Sequence, residues 1–207
     1  QVMQTTELAE RWPGLNVEDV VGGVYLPGDG QTNPIDTAQA LAKGAKMRGA
    51  KIFEGVKATQ ILTEGGRATG IETDQGTIMA QTVVLTGGMW SRDLAAQAGA
   101  SVPLHAAEHF YIVTEPMNGL QADLPVMRIP DECAYYKEDA GKIMLGAFEP
   151  VSKPWGPIPD SFEFDQLPDD FDHFEPILEM AVNRMPMLGQ AGIHTFFNGP
   201  ESFTPDD

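Results

Sequence analysis

Apolar residues recur with helical spacing between Ile35 and Ala45, where they lie three and four positions apart. This spacing places them on one face of an α-helix. Asn33 provides an N-cap, Pro34 suits the first helical position, and Gly49 is suited to the carboxyl end. The pattern predicts one helix bounded by these residues.

The sequence predicts a short strand at 51–53 after this helix, and β-rich segments joined by turns come next. The turn Glu64-Gly65-Gly66-Arg67 separates the segments 58–63 and 68–73, and a turn at 74–77 precedes a third segment, 78–80. Two-residue glycine turns between such segments are typical of β-hairpins. The pattern predicts a three-stranded antiparallel meander.

The next apolar segment, 82–85, does not alternate with polar residues. A run of this kind favours a parallel strand that is covered on both faces. Gly87 and Gly88 follow it, and helical signals then run from a cap at Ser91 to residue 98. We therefore expect a strand, a glycine turn and a helix in succession.

Alternating segments dominate the second half of the chain. They lie at 110–114, 125–129, 134–137 and 142–148, and a helical segment at 174–185 follows a proline-rich loop. Such alternation is typical of an antiparallel sheet. We expect an α+β fold in which residues 1–100 form a mixed α/β domain and residues 101–207 form an antiparallel-sheet domain.

Composition and charge narrow the classes of function. Apolar residues make up 42% of the 207 residues, which suits a globular protein, and 22 glycines with 16 prolines argue against a helical bundle. Thirteen basic and 30 acidic residues give a net charge of −17, which repels phosphate groups. We therefore expect neither nucleic acid nor a membrane among the partners.

Cysteine and histidine usage indicates a reducing compartment and no metal. Cys133 is the one cysteine, so the chain has no internal disulfide. His105, His173 and His194 lack the paired spacing of a metal site. No apolar run approaches the roughly 20 residues that span a bilayer. We expect a soluble protein of the cytoplasm, or of the mitochondrial matrix in a eukaryote, and no secretion.

The glycine turn at Gly87 and Gly88 is the first candidate ligand site. Glycines between a strand and a helix let a ligand approach the backbone closely, which suits a nucleotide or a flavin. The alternative is a turn without a ligand, in which glycine is needed only for the backbone angles. A Gly-x-Gly-x-x-Gly motif that opens a helix after a strand is absent from the sequence.

Four motifs together resemble the dimethylglycine and sarcosine dehydrogenase family, which belongs to the D-amino-acid oxidase-like flavoproteins. The motifs are Gly-Val-Tyr-Leu-Pro-Gly-Asp-Gly at 23–30, Val-Val-Leu-Thr-Gly-Gly-Met-Trp-Ser at 83–91, His-Phe-Tyr-Ile-Val-Thr-Glu-Pro at 109–116 and Asn-Gly-Pro-Glu-Ser-Phe-Thr-Pro-Asp at 198–206. Their order and spacing match over nearly the whole chain. The resemblance implies a D-amino-acid oxidase-like fold, with part of an FAD-binding domain followed by a substrate domain.

The resemblance also implies a central fragment of a longer protein. In the family, the phosphate-binding glycine motif and the histidine that carries FAD lie before the matched part, and another flavin-contacting segment lies after it. The chain begins at Gln1 and ends in a turn composition, which agrees with a fragment. We therefore expect FAD in the parent protein but not in this chain alone, and self-association of the fragment through exposed sheet edges.

The same resemblance assigns residues to the FAD site. It places Gly87, Gly88 and Trp90 at the flavin and Ala58 near the adenine side. Met89 departs from the alanine common in the family, a change that leaves the backbone role of the turn intact.

Catalytic candidates come from the predicted sheet. An imidazole accepts a proton near neutral pH, and the family has a catalytic histidine at the position of His109. Tyr135 and Tyr136 point to opposite faces of a strand, and the resemblance favours Tyr135 as the catalytic phenol. Tyr136 and Arg128 are substrate-binding candidates, Arg128 for a carboxylate. The alternatives are packed aromatic rings and a surface arginine.

Two functions remain open at this point. The resemblance implies oxidation of an N-methyl amine of a glycine derivative, such as dimethylglycine or sarcosine, with hydride transfer to the flavin. The alternative is a catalytically silent regulatory or interaction subunit of the same family, since a fold does not fix a function.

Overall fold

The computed structural model describes residues 1–206, which form helices and strands in mixed order. The helices are α1 (Thr5–Arg11), α2 (Pro34–Met47), α3 (Ser91–Gln97) and α4 (Phe171–Arg184). The strands are β1 (Val2–Met3), β2 (Gly23–Val24), β3 (Ala58–Glu64), β4 (Arg67–Thr73), β5 (Gly76–Met79), β6 (His105–Thr114), β7 (Met127–Ile129), β8 (Ala134–Asp139), β9 (Lys142–Ala147) and β10 (Ile193–Phe203). None of the helices in this part of the chain combines the length and apolar character needed to cross a bilayer.

The chain divides into two compact units, each made of several segments. The first unit contains residues 1–31, 108–153 and 161–200, and the second contains residues 32–107, 154–160 and those from 201 onward. A single boundary near residue 101 does not describe this division, because the chain enters each unit more than once.

The first unit is built on a five-stranded sheet with the strand order β10-β6-β9-β8-β7. The pairs β6/β9, β8/β9 and β7/β8 are antiparallel. Helix α4 buries Phe174, Ile177 and Ala181 in the core. Their spacing of three and four residues places them on one helical face. The strands contribute Phe110 and Leu145, among others, to the same core. One face of the sheet is therefore fully covered.

The second unit contains the meander and helix α2. Strands β3, β4 and β5 pair in sequence order, and Glu64 faces Arg67 across the two-residue turn Gly65-Gly66. Both turn glycines have positive φ, as a tight hairpin turn requires. Helix α2 begins where the sequence predicts, because the Asn33 side chain accepts hydrogen bonds from the first free backbone N–H groups. The predictions of helix and meander are confirmed.

Two predicted strands are wrong, and the long strand β10 was not predicted. Residues 82–85 and 51–53 form no strand in the described chain. Val84 is 77% exposed, so its apolar character does not reflect burial within this unit. A strand exists only when a neighbour accepts its backbone hydrogen bonds, and local sequence does not supply that neighbour. Conversely, β10 forms although it contains Gly199 and Pro200, because it is an edge strand of the sheet.

Candidate active site

One row of side chains crosses the second face of the five-stranded sheet in the first unit. Arg128 pairs with Tyr135, Tyr135 pairs with Gly146, and Gly146 pairs with Tyr111. Directly paired residues of neighbouring strands point to the same face. The three side chains in this row are half-buried or exposed, in contrast to the covered core face.

A second row adds His109 and Phe148 to this surface. The imidazole of His109 lies 5.0 Å from the Phe148 ring, measured between centroids, and the Phe148 ring lies 5.7 Å from that of Tyr135. The guanidinium carbon of Arg128 lies 4.7 Å from the centroid of Phe148, a cation–π geometry. We call the surface formed by His109, Tyr111, Arg128, Tyr135 and Phe148 the aromatic face.

One polar contact on the aromatic face joins two of the predicted residues. The Tyr135 hydroxyl lies 3.4 Å from Nε2 of His109, and the planes of the two rings differ by 16°. This distance is at the long end of the range for a hydrogen bond. The phenol and the imidazole therefore lie next to each other on the same side of the sheet.

Tyr136 lies on the opposite side of strand β8. It is fully buried in the core, where its ring meets Trp12 edge to face. Burial raises the pKa of its hydroxyl above the usual range. The two adjacent tyrosines thus point to opposite faces, and Tyr136 does not share the aromatic face with Tyr135. The predicted substrate contact of Tyr136 gains no support from this position.

The sequence did not single out Tyr111, Gly146 and Phe148. Tyr111 carried a signal, since it lies two residues after His109 and a strand returns to the same face every second residue. The Tyr111 ring also stacks on Phe197 of β10, with centroids 4.6 Å apart. Gly146 and Phe148 carried no such signal, because their place depends on the register between β9 and its two neighbours.

The glycine turn lies in the second unit and fits a ligand that approaches the backbone. Gly88 has a φ of 55°, and a Cβ built on it meets nothing within 4 Å. Trp90 is 43% exposed, whereas Met89 between them is buried. These features leave space beside the backbone for a ligand such as FAD. Helix α3 after the turn has seven residues, so its dipole adds little to binding.

Ala58 is exposed at the start of β3 in the same unit. The backbone N–H of Lys57 before it donates to the Asp74 carboxylate at 3.0 Å, which fixes the entry to the strand. The assignments of Ala58, Gly87, Gly88 and Trp90 to FAD stay predictions. Among the described residues, no cluster of His, Cys, Asp or Glu side chains is arranged to hold a metal ion.

Glu149 lies behind the aromatic face, directly after Phe148. Burial, together with the nearby Glu108 carboxylate, raises the pKa of Glu149 to about 7. A hydrogen bond from the backbone N–H of Phe110, next to His109, opposes this rise. Glu149 is thus a titrating group that contacts strand β6 beside the candidate base.

We expect Glu149→Gln to make the protein more stable at pH 8 and to change little at pH 5. The folded protein binds this proton more tightly than the unfolded chain, so the contribution of Glu149 is present below about pH 4.5 and is lost as the pH rises through 7. Glu149 is partly exposed, so we expect a difference on the order of 1 kcal/mol at pH 8. Urea unfolding of both proteins from pH 5 to 8.5 measures it.

The quantity to compare is the difference in the free energy of unfolding between the wild type and Glu149→Gln at each pH. Burial lowers the pKa of His173, which gives stability the opposite pH dependence near the usual histidine pKa, but His173 is present in both. Glu179→Gln, at an exposed glutamate of α4, is the matched control. Its free energy of unfolding should depend on pH in the same way as that of the wild type. Parallel curves for Glu149→Gln would show that Glu149 does not hold its proton in the folded protein.

Comparisons with known proteins agree with the resemblance inferred from the sequence. The chain is 41% identical to 4-methylaminobutanoate oxidase (formaldehyde-forming) of Paenarthrobacter nicotinovorans, over 95% of this chain and 24% of that protein. It is 37% identical to the mitochondrial pyruvate dehydrogenase phosphatase regulatory subunit of Mus musculus, over 100% of this chain and 24% of that protein. Human mitochondrial sarcosine dehydrogenase is 35% identical, over 99% of this chain and 23% of that protein.

A solved structure confirms the fold class. The L-proline dehydrogenase from P. horikoshii matches with a TM-score of 0.84 and 23% identity, over 100% of this chain and 53% of that one. The chain spans about a quarter of the length of the curated relatives it matches. A family model described as FAD dependent oxidoreductase matches residues 1–207. The chain therefore belongs to the DAO family of FAD-dependent oxidoreductases.

Proposed function

We propose that the protein containing this chain oxidises an N-methylated amino acid. The observation that carries this proposal is the convergence of His109, Tyr135 and Arg128, from three different strands, on the aromatic face. The names of two relatives, a methylaminobutanoate oxidase and a sarcosine dehydrogenase, support an N-methyl amine with a carboxylate as the substrate class.

Arg128 and the aromatic rings provide the two halves of substrate recognition. The exposed guanidinium of Arg128 is suited to a substrate carboxylate, which it binds with two parallel hydrogen bonds. A methylammonium group is attracted to the faces of aromatic rings such as that of Tyr135. An amino acid with a methylated amine carries both groups.

His109 provides the proton acceptor. Oxidation at a carbon next to nitrogen needs the nitrogen lone pair, which an ammonium group does not offer. Neutral His109 takes the ammonium proton on its imidazole, and the Tyr135 hydroxyl, 3.4 Å from Nε2, holds the ring in place. The two residues thus convert the bound substrate into its reactive, neutral form.

FAD supplies the oxidant when it is bound, and Gly87, Gly88, Trp90 and Ala58 are the residues of this chain that would hold it. The substrate loses two electrons and one hydrogen from its methyl carbon, which leaves a carbon–nitrogen double bond with a positive charge. Water adds to that carbon, and the products are formaldehyde, the demethylated amine and one proton.

The second candidate function is a regulatory subunit without amine oxidation. One observation favours it: the mouse phosphatase regulatory subunit is 37% identical over the full length of this chain. The same fold therefore occurs in a protein whose name describes regulation. His109 and Tyr135 favour the enzyme, because a silent subunit has no need of an oriented base.

Anaerobic mixing of the intact protein with a panel of amines tests the proposal. The panel contains sarcosine, dimethylglycine and 4-methylaminobutanoate, with glycine as the unmethylated control. We expect loss of the flavin absorbance with at least one methylated compound, and one formaldehyde per flavin reduced. A protein that binds FAD but is reduced by none of a wider set of N-methyl amino acids would support the regulatory alternative.

A further inference from the structure

Gly146 is an unusual residue for its position in the sheet. It lies inside β9, the central strand of the five, where a side chain would normally pack on the sheet surface. A glycine in a strand interior weakens the strand, and it often marks a place where another group approaches the backbone closely. Its φ lies outside the left-handed range, so backbone conformation does not require glycine here.

The group that approaches Gly146 is the Tyr135 ring. A Cβ built on Gly146 would lie 1.8 Å from Cζ and 2.1 Å from the hydroxyl oxygen of Tyr135. Real Cβ atoms essentially never come within 3.0 Å of such a neighbour. The phenol therefore lies over the backbone of β9, in the space that a side chain at position 146 would fill.

This arrangement explains how a residue of β8 reaches a residue of β6. The two strands are not neighbours, because β9 lies between them. The Tyr135 ring crosses β9 at Gly146, and its hydroxyl then lies 3.4 Å from His109 on the far strand. A side chain at position 146 would lift the ring away from the sheet and break this contact.

We propose that Gly146 is a positioning residue, whose missing side chain lets Tyr135 lie across β9 and orient His109. Its effect on catalysis rests on the proposed function, whereas its effect on the contact between Tyr135 and His109 does not. A glycine also leaves room for a ring on β10, where a Cβ at Gly199 would lie 2.5 Å from Cε1 of Phe197 on the same strand, and the Phe197 ring stacks on Tyr111.

Gly146→Ala tests the proposal, because alanine suits an extended strand and the fold should persist. We expect the rate of substrate oxidation to fall by about 100-fold, as a displacement of 1 Å in an active site commonly does. In a protein that already carries Tyr135→Ala, Gly146→Ala should cause no further loss of rate, since no ring is left to displace. If Gly146 had only a structural role, Gly146→Ala would instead lower the rate by the same factor in the wild type and in Tyr135→Ala.

A second readout is independent of any substrate. The intact protein, labelled with ¹³C at histidine Cε1, is titrated by NMR as wild type, Gly146→Ala and Tyr135→Ala. We expect the His109 signal of Gly146→Ala to move away from the wild-type position and to approach that of Tyr135→Ala. Gly44→Ala, in an open position of helix α2, controls for the general effect of replacing glycine.

The two readouts separate the two hypotheses. If no amine reduces the wild-type flavin but the His109 signal moves as expected, the proposed function fails and the positioning role of Gly146 stands. A His109 signal that is the same in Gly146→Ala and in wild type would overturn the positioning role. Equal rate losses from Gly146→Ala with and without Tyr135 would overturn it as well.

Discussion

Replacement of Arg184 by methionine is expected to lower the free energy of unfolding by about 3–5 kcal/mol, because it removes a buried guanidinium and leaves the partly buried carboxylate of Glu132 without its partner. Arg184 is 7% exposed at the end of α4. Its Nε donates to Glu132 at 2.9 Å, and its Nη1 donates to Asp19 at 2.8 Å. It also donates to the backbone carbonyl of Asn16. One guanidinium thus joins three segments of the first unit.

The carboxylate that matters most is Glu132. Its side chain is 16% exposed, whereas that of Asp19 is 74% exposed and keeps its solvation without a partner. Hydrogen bonds to these carboxylates raise the pKa of Arg184, so it is charged throughout the accessible pH range. Removal of the guanidinium leaves the Glu132 charge in a poorly solvated place, and most of the expected loss comes from there.

Urea unfolding of the wild type, Arg184→Met and the double variant Arg184→Met/Glu132→Gln measures this effect. The double variant should recover part of the stability, since it removes the stranded charge. Arg48→Met, at an exposed arginine after α2, is the matched control and should change stability by less than about 0.5 kcal/mol. A loss in Arg184→Met no larger than in this control would show that the network does not hold the three segments together.

Elements whose signals are local could be predicted from the sequence. Helix α2 depends on a cap at Asn33 and on spacing within one segment, and the meander turn depends on two glycines between two strands. Such contacts lie a few residues apart, so the sequence contains all of their causes. The segment 82–85 has an equally clear apolar pattern, yet it forms no strand because no paired neighbour satisfies its backbone.

The candidate site could be predicted only in part, since it depends on strand register. His109 and Tyr135 were identified by resemblance, but their contact across β9 follows from the pairing of Tyr135 with Gly146 and of Gly146 with Tyr111. A shift by one residue would turn either side chain to the other face. Phe148 and Gly146 carry no chemistry of their own, so no motif indicated them.

Strand β10 is another element that local sequence signals could not predict. Its Asn198-Gly199-Pro200 segment has the composition of a turn, which argues against a strand. In the fold, Asn198 is fully buried and its amide donates to Glu108 and to the Pro168 carbonyl, both at 2.8 Å. Partners 90 and 30 residues away thus stabilise a segment whose local signals predict a turn.

Replacement of His109 by alanine is expected to slow substrate oxidation by 10²- to 10⁴-fold, the usual contribution of a positioned base. The variant keeps Arg128 and Phe148, so substrate should still bind, and the loss should appear in the limiting rate of flavin reduction rather than in KM. Stopped-flow mixing of the intact protein with the methylated amine that reduces it measures this rate.

The dependence on pH identifies the role of the imidazole. With His109 present, the rate should reach its plateau once the imidazole is neutral and accepts the ammonium proton. Without it, only amine that has already lost its proton reacts, so the rate should continue to rise towards the higher pKa of the free amine. Added imidazole should restore part of the rate near neutral pH, because it fills the cavity left by the side chain.

The control is His194→Ala, at an exposed histidine of β10 whose Nδ1 lies 3.2 Å from a carboxylate oxygen of Glu115. It removes an imidazole from the same unit without touching the aromatic face, so its rate and pH profile should match those of the wild type. If His109→Ala also kept the wild-type profile, the proton would have another acceptor, and the aromatic face would bind the substrate without a base.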